Sequence, residues 1–212
     1  MEIKYIDSVN ATSKQAIEDI FNTIEPQKIA CNNWAKEFPY SPLVSFKIFH
    51  TGELLHLRFN VEEQCTMAKV REDQGRVWTD SCVELFLSVG NLGYYNFETN
   101  CIGRMLLAYK DQEGVSTSAP AEIMETIQRE PSIGSVPFEE ITGDNKWSMT
   151  LAIPAKALFS HDLDSWCGVE GSMNLYKCGD DLSKPHFLSW NPIDNPTPNF
   201  HLPPFFRKIN FL

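Results

Sequence analysis

The sequence has little positive charge and no long apolar run. Lys and Arg together number 18 against 28 Asp and Glu, which gives a formal net charge of −10. Nucleic acids and anionic membrane surfaces bind cationic patches, so we expect neither as a partner. No segment approaches the roughly 20 apolar residues that cross a bilayer, which excludes membrane insertion. The first ten residues also lack the apolar stretch of a secretory signal, and we therefore expect a cytoplasmic protein by default.

The common signatures of metal and nucleophilic chemistry are missing as well. The five histidines show no HxH or HExxH spacing, and neither a P-loop nor a GxSxG motif occurs. The six cysteines are scattered without a CxxC pair, so we expect buried free thiols and not a zinc site or a disulfide framework. Two acidic turns, at 162–164 and 179–181, could donate oxygens to calcium. Neither continues into an EF-hand pattern, and solvated turns are the preferred interpretation.

What the sequence does contain is typical of short strands joined by turns. Aromatic residues make up 12% of the chain, beside 13 Pro and 11 Gly. Over much of the chain apolar residues alternate with polar ones, the period of a strand with one buried face. The alternating runs begin at Val44, Leu55, Val83, Tyr95, Met105 and Trp147, and shorter strands are predicted at 173–176, 187–190 and 208–212. Between 116 and 143 the pattern weakens, and one strand is predicted there, at 123–128.

One helix is predicted near the start of the chain. Thr12 and Gln15 form a T-x-x-Q capping box, apolar residues then recur at helical spacing from Ile17 to Ile24, and Pro26 ends the helix. We therefore predict a single all-β domain, an antiparallel β-sandwich of about ten strands with a short N-terminal helix. In this division residues 1–30 are a helical extension packed on the same domain, and residues 31–212 are the sandwich.

The segment 78–86 carries the most informative functional pattern. Trp78 precedes a predicted strand, and Glu84 points away from the face that buries Val83 and Leu85. A tryptophan and a carboxylate at a sheet edge suit sugar binding, because the apolar face of a pyranose packs on the indole while hydroxyls donate to the carboxylate.

The order of motifs along the chain resembles the family 9 carbohydrate-binding modules. The matching pieces are Trp78 with Val-Glu-Leu-Phe at 83–86, Tyr-Tyr-Asn-Phe-Glu-Thr-Asn at 94–100 with Gly103, 147–154, Asn-Leu-Tyr at 174–176, Leu-Ser-Trp at 188–190 and Asn-Phe-His at 199–201. The resemblance covers roughly residues 34–212. It implies a β-sandwich that binds the ends of glycans without catalysis, holds a terminal sugar between two aromatic side chains, and supports polysaccharide breakdown.

The resemblance also implies a set of ligand-binding residues. Trp78 falls on one aromatic plate of the site and Glu84 on an acidic ligand. Phe200 matches the second plate, with Trp190 in reserve. Asn100 and Asn199 complete the set as hydrogen-bonding partners of sugar hydroxyls.

The implied partner is a neutral oligosaccharide or polysaccharide. No catalytic residue and no cofactor are predicted, and the oligomeric state is left open. The acidic turns and the resemblance permit a structural calcium ion, to which no ligands are assigned.

Two alternatives belong to other functional classes. Asp80, Glu84 and Glu98 lie in or beside predicted strands, where a pair of carboxyl groups could hydrolyse a glycosidic bond in the same groove. A protein-interaction sandwich that has lost sugar binding is the other alternative. It would be favoured if Trp78 and Phe200 were buried in the core or far apart.

Overall fold

A computed structural model describes residues 1–90 and 92–212. Within these residues the chain forms two helices, α1 (Lys14–Thr23) and α2 (Ala121–Thr126), and fourteen strands. The strands are β1 (Glu2–Ile3), β2 (Gln27–Lys28), β3 (Cys31–Asn32), β4 (Leu43–His50), β5 (Leu54–Ala68), β6 (Cys82–Val89), β7 (Gly93–Asn100), β8 (Met105–Asp111), β9 (Ser116–Ser118), β10 (Gln128–Pro131), β11 (Phe138–Pro154), β12 (Glu170–Cys178), β13 (Phe187–Ser189) and β14 (Arg207–Phe211). Each long alternating run of the sequence is a strand.

The strands form two sheets, and the predicted all-β sandwich is confirmed. Sheet A has the order β1-β14-β12-β6-β7-β8-β9, with β13 paired to β12 and β3 paired to β13. Sheet B has the order β10-β11-β5-β4-β2. All pairs are antiparallel except β1 with β14. The count exceeds the predicted ten because several strands are only two or three residues long, too short to show alternation.

The main core lies between the two sheets. Alternate side chains of β6, among them Val83, Leu85 and Leu87, pack in one cluster with Phe59 of β5 and Leu151 of β11. Each fully buried side chain of this kind stabilises the fold by about 1.5–3 kcal/mol. The intervening residues of β6 face the other side of sheet A, where a second apolar cluster is covered by loops. The candidate site lies on this outer face.

Helix α1 confirms the predicted helix but begins one residue later than its capping box. The Ser13 hydroxyl, and not that of Thr12, accepts a hydrogen bond from the Ala16 backbone N–H at 3.1 Å. Gln15 donates to Asp19 at 2.8 Å instead of reaching back to the cap. The helix buries Phe21, whose ring lies 5.0 Å from that of Phe49 of sheet B.

The prediction of a strand at 123–128 is wrong. The chain forms α2 there, and β10 begins only at Gln128. Met124 is the buried residue of this short helix. The Met124 carbonyl at the end of the helix accepts from the Ile127 backbone N–H at 3.3 Å and from the Arg129 guanidinium at 3.0 Å.

The N-terminal segment contributes to both sheets. β1 pairs with β14 in sheet A, while β2 pairs with β4 in sheet B. The division of the chain into an extension of residues 1–30 and a sandwich of residues 31–212 stays a prediction. Neither helix of the described residues is long and apolar enough to cross a membrane.

The six cysteines are free thiols. Cys65, Cys82, Cys101 and Cys178 are buried, as expected from the sequence. Cys31 is half-buried, and Cys167 is exposed and departs from that expectation.

Candidate functional site

A pocket opens on the outer face of sheet A, with a floor made by four consecutive strands. Each strand contributes two residues spaced two apart, because alternate side chains of a strand point to the same face. These pairs are Glu84 and Phe86 of β6, Asn96 and Glu98 of β7, Leu106 and Ala108 of β8, and Ser116 and Ser118 of β9. The cavity measures about 370 Å³. This volume lies within the range of small-molecule sites, roughly 300–1,000 Å³.

Loops that follow the strands build the walls of the pocket. One wall carries Trp78, which is half-buried on a single 3-10 turn (Val77–Thr79). The backbone N–H of Asp180 donates to the Trp78 carbonyl at 3.2 Å, and that of Asp181 donates to the Thr79 carbonyl at the same distance. The acidic turn at 179–181, interpreted above as a solvated turn, therefore holds the tryptophan turn in place, and Asp180 lines the pocket.

Phe200 and Asn199 also line the pocket, from the segment between β13 and β14. The Phe200 ring stacks on Tyr176 with 4.1 Å between ring centroids and 6° between planes, and the Tyr176 hydroxyl donates to the Phe200 carbonyl at 3.1 Å. Because Tyr176 covers one face of the ring, Phe200 is only 9% exposed. Asn199 is exposed, and its side-chain oxygen accepts from the His201 backbone N–H at 2.9 Å.

Two buried carboxyl groups lie side by side on the floor. Glu84 and Glu98 are directly opposite each other in the pairing of β6 with β7. Burial, reinforced by the neighbouring Cys178 and Glu98, raises the pKa of Glu84 well above its usual range. Burial raises the pKa of Glu98 to about 7, although the hydrogen bond from Asn96 opposes the shift.

At the rim, partial desolvation together with the charge of Asp181 raises the pKa of Asp180 to about 6. His201 also lines the pocket, and its Nδ1 lies 2.8 Å from the Tyr94 hydroxyl. Desolvation, with a contribution from Lys110, lowers the pKa of His201 to about 4. Near neutral pH the polar groups of the pocket are therefore uncharged or anionic.

Asn100 lies outside the pocket lining and is fully buried. Its side-chain amide donates to Asp80 at 2.8 Å, and its oxygen accepts from the Arg104 backbone N–H at 2.8 Å. The Asp80 carboxylate in turn accepts the backbone N–H groups of Lys69 at 2.9 Å and Val70 at 3.0 Å. This network anchors the chain two residues after Trp78, so Asn100 acts on the site through the backbone.

Trp190 also lies away from the pocket. It is 8% exposed and belongs to the core between the sheets, where its ring meets that of Phe46 edge to face at 5.5 Å. The Arg207 guanidinium lies 4.9 Å from the centroid of the same ring. These neighbours give Trp190 a packing role at the junction of the sheets.

The structure thus brings four of the six predicted ligand-binding residues to one pocket: Trp78, Glu84, Asn199 and Phe200. The pocket is also lined by residues that the sequence did not single out as ligand-binding: the serines of β9, Asn96, Asp180, Cys178 and His201. Two-residue spacing could have found Asn96, because it follows the same alternation as Glu98. β9 is too short for any such signal.

Metal-ligating side chains and a second cavity offer alternative sites. In the described part of the chain, Cys82, Glu84 and Cys178 form the only group of three or more metal-ligating side chains close enough to share an ion. Neither acidic turn forms such a group, and structural calcium stays a prediction. A larger cavity, of about 620 Å³, lies beside β2 and β4. None of the six predicted ligand-binding residues lines it.

Comparison with known proteins gives one family and several similar structures. The family model described as carbohydrate-binding family 9 matches residues 14–211, a range that includes α1. A candidate carbohydrate-binding protein from Bacteroides uniformis ATCC 8492 is 39% identical with a TM-score of 0.94, and the match covers 100% of this chain and 98% of that one. No curated protein matches the chain.

Two structures of a family 9 carbohydrate-binding module from Caldicellulosiruptor kristjanssonii share the fold at 13% identity. The glucose complex has a TM-score of 0.61, and the match covers 100% of this chain and 95% of that one. The cellotriose complex has a TM-score of 0.59, with coverage of 100% and 92%.

Proposed function

The chain belongs to carbohydrate-binding family 9, and we propose that it binds a neutral oligosaccharide, without catalysis, in the pocket on the outer face of sheet A. The observation that carries the proposal is the convergence of aromatic walls and an acidic floor on one small cavity. Trp78 and Phe200 line it from separate loops, and Glu84 and Glu98 line it from adjacent strands.

Stacking supplies the apolar part of the affinity. The half-buried Trp78 offers its indole to the C–H face of a pyranose, and Phe200, which is only 9% exposed, contributes the apolar surface with which it lines the same pocket. Burying one sugar face on such aromatics contributes about 2–3 kcal/mol. This term is indifferent to the hydroxyl pattern, so it favours pyranoses as a class.

The polar floor and rim select among them. Glu84, Glu98 and Asp180 accept hydrogen bonds from hydroxyls, while the Asn199 amide group is a donor, since its oxygen already accepts from His201. Each such bond adds about 1 kcal/mol. After the costs of association, we expect dissociation constants of about 10 μM to 1 mM. Affinity of this order suits a module that keeps a polysaccharide-degrading enzyme near its substrate.

Isothermal titration calorimetry with glucose and cellotriose tests the proposal. Trp78→Ala should weaken binding at least about tenfold, because it removes about 2 kcal/mol of stacking. Tyr5→Ala is a matched control, since Tyr5 is 45% exposed and does not line the pocket. Failure of both sugars to bind, or equal affinity in wild type and Trp78→Ala, would refute the proposed site.

Hydrolysis is the second candidate, because Glu84 and Glu98 are paired on the pocket floor and burial favours the protonated form of both. Assays for new reducing ends on soluble polysaccharides distinguish the two functions. We expect no turnover by the wild-type protein. Turnover that Glu84→Gln abolishes would replace binding with catalysis in the same pocket.

A further inference from the structure

We propose that Cys82, Glu84 and Cys178 bind a thiophilic divalent cation, zinc or a metal of similar preference, at the base of the pocket. The argument uses three side chains from two paired strands and does not require sugar binding, although Glu84 belongs to both proposed sites. Their ligand atoms all lie within 4.8 Å of one another, and all three residues are buried.

The backbone places these groups together with little freedom. Cys82 and Cys178 are direct partners in the pairing of β6 with β12. Glu84 lies two residues after Cys82 and so shares its face of the sheet. The Cys178 Sγ already donates to the Glu84 Oε1 at 3.1 Å. The cluster lies at the centre of sheet A, where β6 is paired on its other side to β7.

The separations between the three ligand atoms suit an ion with tetrahedral coordination. Bond lengths of about 2.3 Å from zinc to sulfur and about 2.1 Å from zinc to oxygen place neighbouring ligand atoms about 3.6–3.8 Å apart. In the structure the Cys178 Sγ lies 3.1 Å from the Glu84 Oε1, and the other two separations are no greater than 4.8 Å. Small side-chain rotations, without backbone movement, would bring the three atoms to this spacing.

The ligand types indicate which cation binds. A bound metal displaces the protons of these side chains. The resulting two thiolates and one carboxylate favour zinc over calcium or magnesium, which prefer sites built of oxygen. Glu84 and Cys178 line the pocket, so a fourth coordination position would face the cavity. Three protein ligands and one open position are the arrangement of zinc sites that exchange a ligand.

The absence of a CxxC motif does not argue against this site. Cys82 and Cys178 are far apart in sequence, and only the β6–β12 register makes them neighbours. The other two buried thiols, Cys65 and Cys101, lie outside the group. They offer matched controls of similar burial.

Titration with Co²⁺ of the purified protein, kept reduced with a phosphine, tests the proposal. Binding should produce a sulfur-to-cobalt charge-transfer band in the near ultraviolet that saturates at one cobalt per chain and disappears when Zn²⁺ is added. Cys82→Ser and Cys178→Ser should each abolish or strongly reduce the band, while Cys101→Ser should leave it unchanged. Glu84→Gln should weaken cobalt binding by at least the roughly 10- to 100-fold that loss of an outer-shell partner costs.

Thermal unfolding of each variant confirms that it folds, and Glu84→Gln provides a test that leaves both thiols in place. No band in wild type would overturn the proposal, as would a band that persists in both serine variants or is lost in Cys101→Ser. Because the titration contains no sugar, its outcome is independent of carbohydrate binding.

Discussion

Replacing Glu98 by glutamine should make the protein progressively more stable than wild type as the pH rises. The Glu98 side chain is 4% exposed on the pocket floor, opposite Glu84, and burial raises its pKa from 4.5 to about 7. A carboxyl group whose pKa is raised by folding favours the native state below the unfolded pKa. That advantage is lost as the pH rises through the folded pKa. Glutamine keeps a polar side chain of the same size but cannot ionise.

The size of the effect follows from the shift. At about 1.4 kcal/mol per pKa unit, ionising Glu98 in the folded protein costs about 3 kcal/mol at high pH. Most of this cost develops between about pH 5 and 8. The difference in unfolding free energy between Glu98→Gln and wild type should therefore increase by about 2–3 kcal/mol across this window.

Urea denaturation of both proteins at intervals from pH 5 to 8 measures this difference. Comparison at each pH is needed because His56 and His201 also make the stability of the protein depend on pH. Folding lowers their pKa values to about 4, so their protonation destabilises the protein as the pH falls, whereas ionisation of Glu98 destabilises it as the pH rises. The contribution of the histidines cancels between wild type and variant. Glu25→Gln, at an exposed glutamate, is the control and should follow wild type. A stability difference for Glu98→Gln that is constant with pH would refute the buried, protonated carboxyl group.

Three further predictions concern the site and its support. Glucose affinity measured by calorimetry should rise with pH through about 6 to 7, as Asp180 and Glu98 ionise and become stronger acceptors; constant affinity would exclude them as sugar ligands. Asn100→Ala should lower the unfolding free energy by about 1–3 kcal/mol, since the buried Asp80 loses its side-chain donor and the Arg104 backbone N–H loses its acceptor; unchanged stability would contradict the anchoring network. Lys177→Met should lower the unfolding free energy measured with urea by about 3–5 kcal/mol, because Glu63, its fully buried partner at 2.9 Å, would keep its charge without a counter-ion. A smaller loss of stability in the double variant Glu63→Gln, Lys177→Met would confirm the pairing, and an equal loss would contradict it.

Much of the fold could be predicted from the sequence because alternation is a local signal. The runs at Val44, Val83 and Trp147 became strands of the two sheets, since each has one face in the main core. The segment at 123–128 lacked that signal. There the burial of Met124 and Ile127 and the hydrogen bond from Arg129 to the Met124 carbonyl accompany a helical turn, and neither feature can be read from residue spacing.

Part of the site could be predicted from one short segment, and Asn199 and Phe200 only from the family resemblance. Trp78 and Glu84 stand within a few positions of each other and both line the pocket. Asn100 fits the same motif, yet its amide group is taken up by Asp80, and that pairing depends on how two distant turns meet. The neighbourhood of Cys82 and Cys178 likewise depends on the register of β6 with β12.

A crystal structure of the protein grown with cellotriose would test the central claim most directly. We expect a pyranose ring in the pocket on the outer face of sheet A, in contact with Trp78 and Phe200 and with a hydroxyl donating to Glu84 or Glu98. A sugar bound elsewhere, such as in the larger cavity beside β2 and β4, with this pocket holding only water, would contradict it.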